Sequence, residues 1–248
     1  MRLQNKVAII TGASSGIGEK TAELFAAEGA TLVIVARRRE RLERLAEKIR
    51  RQGGEVKVIA ADITSESECR RVIRESIEAF GNIDILVNNA GIADKHLPIT
   101  KCSTAWWDEV ILTDQTSVFY LTKAALEKMN KGSIVNVSSI GGVFGSAGIS
   151  YSAAKSALLG MTKNVAIQYA GKGIRCNAVC PGPTPTELNT PDKLATFDDF
   201  AKQCAKHMNM SLPETRAEEQ AQAILFFASD ESSGVTGQVL VVDNGITL

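Results

Sequence analysis

Val7-Ala-Ile-Ile10, running into Thr11-Gly-Ala-Ser-Ser-Gly-Ile-Gly18, is the stretch from which the rest of the chain can be read. Four apolar residues in a row predict a buried strand, and a helix-period segment opens near residue 16. The turn between them is spaced G-x-x-x-G-x-G, not the commoner G-x-G-x-x-G. Strand, glycine turn and helix, in that order, are what a dinucleotide loop needs. Glycines allow the tight turn and close backbone approach. The helix N-terminus offers unpaired N–H groups and partial positive charge to a pyrophosphate. Gly12, Ser14, Ser15, Gly16, Ile17 and Gly18 are therefore the first candidate cofactor contacts. A turn serving only packing is the alternative, and the flanking strand and helix argue against it.

The alternation continues to the end. Strand-like runs occupy residues 7–10, 31–36, 56–60, 83–87, 133–137, 174–179 and 239–242, and helix-like segments lie near 16–29, 39–52, 66–80, 104–129, 151–171 and 214–229. The strands are apolar without alternation, as parallel strands covered on both faces should be. Repeated βα predicts an α/β fold: a Rossmann-like, doubly wound, seven-stranded parallel sheet with helices on both faces, in one domain over residues 1–248. The irregular part is 181–213, which holds five of the six prolines. Its middle, about 192–209, predicts one or two amphipathic helices, and about 183–213 is expected to form a substrate lid.

Composition excludes several classes. The chain carries 28 Lys+Arg and 28 Asp+Glu, so no global field attracts nucleic acid or an anionic membrane. The five cysteines are scattered, without a C-x-x-C pair, and predict reduced thiols in a cytoplasmic protein. The two histidines, His96 and His207, lack metal-ligand spacing, so no metal is expected. No signal-peptide pattern and no membrane-length apolar run is present.

Tyr151-Ser-Ala-Ala-Lys155 puts a phenol and an ammonium four residues apart, on one helix face. The ammonium stabilises the phenolate, which lowers the tyrosine pKa from about 10 and suits Tyr151 to proton transfer. Ser139 ends the strand run Ile134-Val-Asn-Val-Ser-Ser139, at the carboxyl edge where open α/β sheets hold ligands. Ser138 is its neighbour, and strand alternation sends the two to opposite faces.

Loop, pair and serine together resemble the short-chain dehydrogenase/reductase family, over essentially the whole chain. Asn88-Asn89-Ala90-Gly91 matches the family's motif beside adenine and ribose. Asp62, followed by Ile63, matches the acidic residue that contacts adenine. Pro181-Gly182 matches the turn that holds the nicotinamide, and Thr184 and Thr186 fall where the family binds the carboxamide and a neighbouring phosphate. The resemblance implies reversible hydride transfer between a nicotinamide and a ketone or secondary alcohol. Tyr151 would be the acid–base, Ser139 would hydrogen-bond the substrate oxygen, and Lys155 would tune Tyr151 and hold the ribose. A homotetramer built through the helices at 104–129 and 151–171 and the last strand is implied too. Ala153, Ala154, Ala157, Leu158 and Met161 suit either that interface or packing within the chain.

After the second strand come Ala36 and then Arg37-Arg38-Arg39. NAD-specific folds place a carboxylate here for the ribose 2′-OH. Cations instead of a carboxylate predict NADP(H) rather than NAD(H), with Arg37 and Arg38 on the 2′-phosphate and Ser14 adding a hydrogen bond. Arg39 and Arg41 are expected on the solvated helix face.

Two departures from the family pattern stand out. Asp114 replaces the usual asparagine, whose side chain and carbonyl help relatives hold a water between the lysine and solvent. An aspartate there favours protonated Lys155 and predicts a working, pH-shifted relay. Asn244 replaces a glycine near the C-terminus, where Asn tolerates positive φ. Substrate identity is assigned to residues 92–103, 141–150 and 181–213, whose Phe144, Ile149, Leu188, Leu194, Phe197, Phe200, Met208 and Met210 favour a largely apolar small molecule. Likeness to 3-oxoacyl-carrier-protein reductases and to bacterial hydroxysteroid dehydrogenases is comparable. A non-catalytic nucleotide sensor on the same fold is the alternative.

Overall fold

The computed structural model describes residues 1–92, 95–189 and 198–248. Its strands are β1 (Val7–Thr11), β2 (Thr31–Ala36), β3 (Val56–Ala60), β4 (Ile85–Asn88), β5 (Gly132–Val137), β6 (Ile174–Pro181) and β7 (Val239–Val242). Its helices are α1 (Gly16–Ala27), α2 (Arg39–Arg51), α3 (Glu66–Phe80), α4 (Thr104–Ile111), α5 (Ser117–Leu126), α6 (Ile140–Phe144), α7 (Ile149–Gln168), α8 (Asp198–Ala205) and α9 (Ala217–Ala228). All strands run parallel, in the order β3-β2-β1-β4-β5-β6-β7.

Side-chain alternation explains why the central strands β1, β2 and β4 are apolar along most of their length. Ala8, Ile10, Leu32 and Ile34 pack under α1, α2 and α9 with Phe25, Ile49 and Leu225. Their neighbours Ile9, Val33, Val35 and Leu86 pack on the other face with Val72, Leu121 and Ala125 of α3 and α5. Each fully buried aliphatic or aromatic side chain contributes about 1.5–3 kcal/mol relative to exposure. From β1 the chain winds outward to β3, then returns to β4 on the other side of β1. The crevice beyond the carboxyl ends of β1 and β4 is the topological switch point, where such sheets hold ligands.

Local differences from the sequence expectation have physical causes. β4 starts two residues later than the run at 83–87, because Asp84 turns inward to accept the Val7 N–H at 2.9 Å and an Asn82 amide hydrogen at 2.9 Å. β6 runs on to Pro181, paired with Val242. The expected single helix over 104–129 is interrupted by a π turn, Leu112–Thr116, which inserts an extra residue and directs fully buried Asp114 inward. α6 was not expected. Ser139 caps it, accepting the Gly141 N–H at 3.1 Å, and Gly142 lets it approach α7 so closely that a Cβ would stand 2.6 Å from the Lys155 backbone. Of the expected helices at 192–209, α8 is present at Asp198–Ala205, while Leu194 and Phe197 lie outside the described residues. Asn244 adopts φ 55° and donates to the Pro213 carbonyl at 3.1 Å, the local turn expected of it. Among the described residues no helix is long and apolar enough to cross a membrane.

Candidate active site

A cleft of about 1080 Å³ opens at the switch point and runs from the loops after β2 and β3 to α7 and the segment after β6. The glycine loop forms its floor. Gly12 sits at φ 67°, and a Cβ there would come 2.8 Å from Ala90 Cα. That contact is held by Thr11, whose hydroxyl accepts the Asn89 and Ala90 N–H groups at 3.0 and 3.1 Å, while Asn89 Nδ2 donates to the Thr11 carbonyl at 2.9 Å. Asn88 continues inward, donating to Asn136 Oδ1 at 2.9 Å, and Asn136 donates to Thr162 at 2.8 Å. This polar chain ties β4, β5 and α7 together beneath the cleft. Ser15, Gly16 and the first turn of α1 face the groove, a glycine-bearing helix N-terminus that fits a dinucleotide diphosphate. Asp62, Ile63, Asn89, Ala90, Gly91, Pro181, Gly182, Thr184 and Thr186 also line it. Thr184 is nearly buried, donating to the Gly182 carbonyl at 3.0 Å and lying 2.9 Å from the Thr215 hydroxyl. Asp62 accepts from the Thr64 hydroxyl at 2.8 Å.

At the α7 end, Ser139, Tyr151 and Lys155 meet on one wall. Tyr151 is half-buried, with Lys155 Nζ 5.4 Å from its ring centroid. Ser139 uses a lone pair on the Gly141 N–H, which leaves its O–H to donate. Ser138 is buried, and its hydroxyl donates to the Lys155 carbonyl at 2.7 Å, so it anchors α7. Lys155 is 4% exposed. Its ammonium donates to the Val137 carbonyl at 3.4 Å and pairs with Asp114 Oδ2 at 3.3 Å. Asp114 Oδ1 accepts the Ile92 N–H at 2.8 Å, so the π turn fixes the strand-end loop as well as the lysine. Gly91 is small for this reason: a Cβ on it would come 3.0 Å from Asp114 Oδ2 and 3.3 Å from Lys155 Nζ. Burial works against the Lys155 charge, but the Asp114 carboxylate and then Tyr151 outweigh it and raise the lysine above its ordinary pKa. Burial pushes the neighbouring Cys180 thiol up to about 11, so it stays protonated.

At the opposite end, Arg38 Nε and Nη2 donate to the Ser14 hydroxyl at 3.1 and 2.8 Å, and Nη2 reaches Ser15 at 2.8 Å. Arg37 is exposed on the same rim. Arg39 pairs with Glu43 on the solvated face, as expected. Arg41 is solvated as well, its side chain 37% exposed. It pairs with Glu187, as does Arg38. Sequence reasoning missed Glu187, because its partners lie 146 and 149 residues away.

The wall facing Tyr151 is less apolar than expected. Leu188, Met208 and Met210 line it, but Phe144, Ile149 and Phe200 do not. Lys95, His96, Glu109 and Glu214 do, with Lys95 Nζ 3.6 Å over the Trp106 ring. Periodicity gave no sign of these, since they stand on separate loops and on α4. Among the described residues no cluster of three His, Cys, Asp or Glu side chains is placed to hold a metal.

Comparison with known proteins follows the same lines. The family model described as enoyl-(acyl carrier protein) reductase matches residues 12–247. A 3-oxoacyl-[acyl-carrier-protein] reductase of Thermotoga maritima is 40% identical, over 100% of this chain and 100% of that protein. 3beta-hydroxysteroid dehydrogenase 2 of Eggerthella lenta is 34% identical, over 98% and 95%. The crystal structure of levodione reductase superposes with a TM-score of 0.90 at 32% identity, covering 98% of each chain. With whole-length likeness on that scale, and the glycine cradle and the tyrosine–lysine pair at opposite parts of one cleft, the chain belongs to the short-chain dehydrogenase/reductase family and is an oxidoreductase that uses a nicotinamide cofactor.

Proposed function

We propose that the chain is an NADP(H)-dependent reductase of ketones, reversible to oxidation of secondary alcohols, with a largely apolar substrate such as a 3-oxoacyl thioester or a steroid. The observation that carries the proposal is the convergence of Ser139, Tyr151 and buried Lys155 on one wall of the cleft, with Arg38 at its far end. The glycine loop with Asn89 to Gly91 would hold the adenosine and diphosphate, and Pro181, Gly182, Thr184, Thr186 and Lys155 the nicotinamide riboside. When bound, the nicotinamide supplies or accepts the hydride.

The chain's own residues handle the proton. Tyr151 donates to the carbonyl oxygen during reduction and accepts from the alcohol during oxidation. Ser139 donates its remaining hydrogen to the same oxygen and fixes its place. The Lys155 ammonium stabilises the phenolate that Tyr151 leaves behind. Asp114 holds that ammonium charged and in position. Substrate specificity falls to the Met208, Met210 and Leu188 wall, and the segment that carries them acts as the lid. The names of the relatives, which act on acyl thioesters and steroids, support a carbonyl on an apolar body.

The test is oxidation of NADPH and NADH by the purified protein against a panel of a short 3-oxoacyl thioester, steroid ketones, small diketones and a sugar ketone. The proposal expects turnover with NADPH on at least one apolar ketone. Preference for NADH, or activity confined to the sugar ketone, would refute the cofactor or the substrate part respectively.

A further inference from the structure

Outside the proton-transfer end, the feature with no assigned role is the carboxylate of Glu187. Arg38 Nη1 donates to its Oε2 at 3.0 Å, and Arg41 Nη1 donates to the same oxygen at 2.5 Å. The path of the chain explains how it arrives there. Thr186 lies against the glycine loop, 3.1 Å from where a Cβ on Gly16 would stand, so the segment after β6 crosses that loop and delivers the next residue to the start of α2. Arg38 directs its Nε and Nη2 groups to the hydroxyls of Ser14 and Ser15. The fork that would serve a phosphate therefore already serves a carboxylate, and two arginines hold the Glu187 carboxyl below the usual carboxylate range.

We propose that Glu187 is a specificity-determining residue that competes with the 2′-phosphate of NADP(H) for Arg38 and so restrains the preference for NADP(H) over NAD(H). The inference rests on the NADP(H) assignment made above. A 2′-phosphate brings up to two negative charges to a guanidinium that is already paired with Glu187, so either the carboxylate leaves Arg38 or the two anions repel. A ribose 2′-OH is uncharged and meets no such penalty. Glu187 thus acts against one cofactor and leaves the other alone.

The experiment measures dissociation constants of NADPH, NADH, 2′,5′-ADP and 5′-AMP, by fluorescence and calorimetry, for the full chain, Glu187→Gln, Arg38→Ala and the double variant. Circular dichroism and melting establish that each is folded. Glu187→Gln is expected to tighten NADPH and 2′,5′-ADP by about three- to tenfold and to leave NADH and 5′-AMP within about twofold. The gain should vanish in the Arg38→Ala background, because the competition runs through that guanidinium. If Glu187→Gln leaves NADPH unchanged, weakens it, or tightens NADH equally, while Arg38→Ala still weakens NADPH selectively, the inference falls and the NADP(H) assignment stands. If Arg38→Ala leaves NADPH untouched and the unaltered chain prefers NADH, the assignment falls and takes the inference with it.

Discussion

Asp114 stands where the family resemblance implies an asparagine, and the difference is chemical. An asparagine oxygen could accept the Ile92 N–H as the aspartate does at 2.8 Å, but only a carboxylate adds charge 3.3 Å from Lys155. That charge favours the protonated lysine and opposes a second anion, the Tyr151 phenolate. Asp114→Asn should therefore make the phenolate easier to form. The limb of the reduction profile that reports loss of the tyrosine proton should move to lower pH, by about one unit. An unmoved pH–rate profile would contradict this role. Asp114→Ala asks a different question. It strips the buried ammonium of its partner and should cost about 3–5 kcal/mol, read as a fall in melting temperature, whereas the asparagine variant keeps the Ile92 bond and should lose much less.

At the scale of elements, the first strand, turn and helix are those proposed to hold the nucleotide, and glycine is needed where backbone meets backbone. At φ 67° and 2.8 Å from Ala90 Cα, Gly12 has no room for a methyl group. Gly12→Ala should weaken NADPH binding by at least about a hundredfold and destabilise the fold by about 2–4 kcal/mol, measured by calorimetry and denaturant titration. The sequence made these units legible because strand runs and glycine spacing are local signals: β2, β3 and β7 fall on the expected residues. The π turn was not legible. The pair it accompanies joins Asp114 to a lysine in another helix, and residues 104–129 keep a helical pattern on either side of it. α6 escaped notice for a similar reason, since its two glycines look like loop until α7 is there to receive them. The Glu187 clasp joins segments too far apart in sequence for any window to connect.

For the whole molecule, part of the surface remains apolar where α5 and α7 face outward. Phe119 is 49% exposed and Ile167 76%. Ala154 and Leu158, which suited an interface on sequence grounds, are instead fully buried within the chain, and Ala153, Ala157 and Met161 stay half-exposed. The remaining apolar surface is what a helix-mediated homotetramer would cover. Analytical ultracentrifugation at micromolar concentration should give a species of four chains, and Phe119→Asp should shift it to smaller species without unfolding them. A single chain in solution would contradict this.

The proposed mechanism has Tyr151 transfer the proton while Ser139, Lys155 and Asp114 hold its partners in place. The direct measurement is Tyr151→Phe, comparing the NADPH dissociation constant with single-turnover oxidation of NADPH on the best ketone. Removal of one hydroxyl should leave NADPH binding within about threefold and cut the rate by at least about a thousandfold, in line with general acid–base catalysis reinforced by Lys155. Turnover persisting within about tenfold of the unaltered chain would mean that the proton comes from elsewhere, and the assignment of Tyr151 would fail.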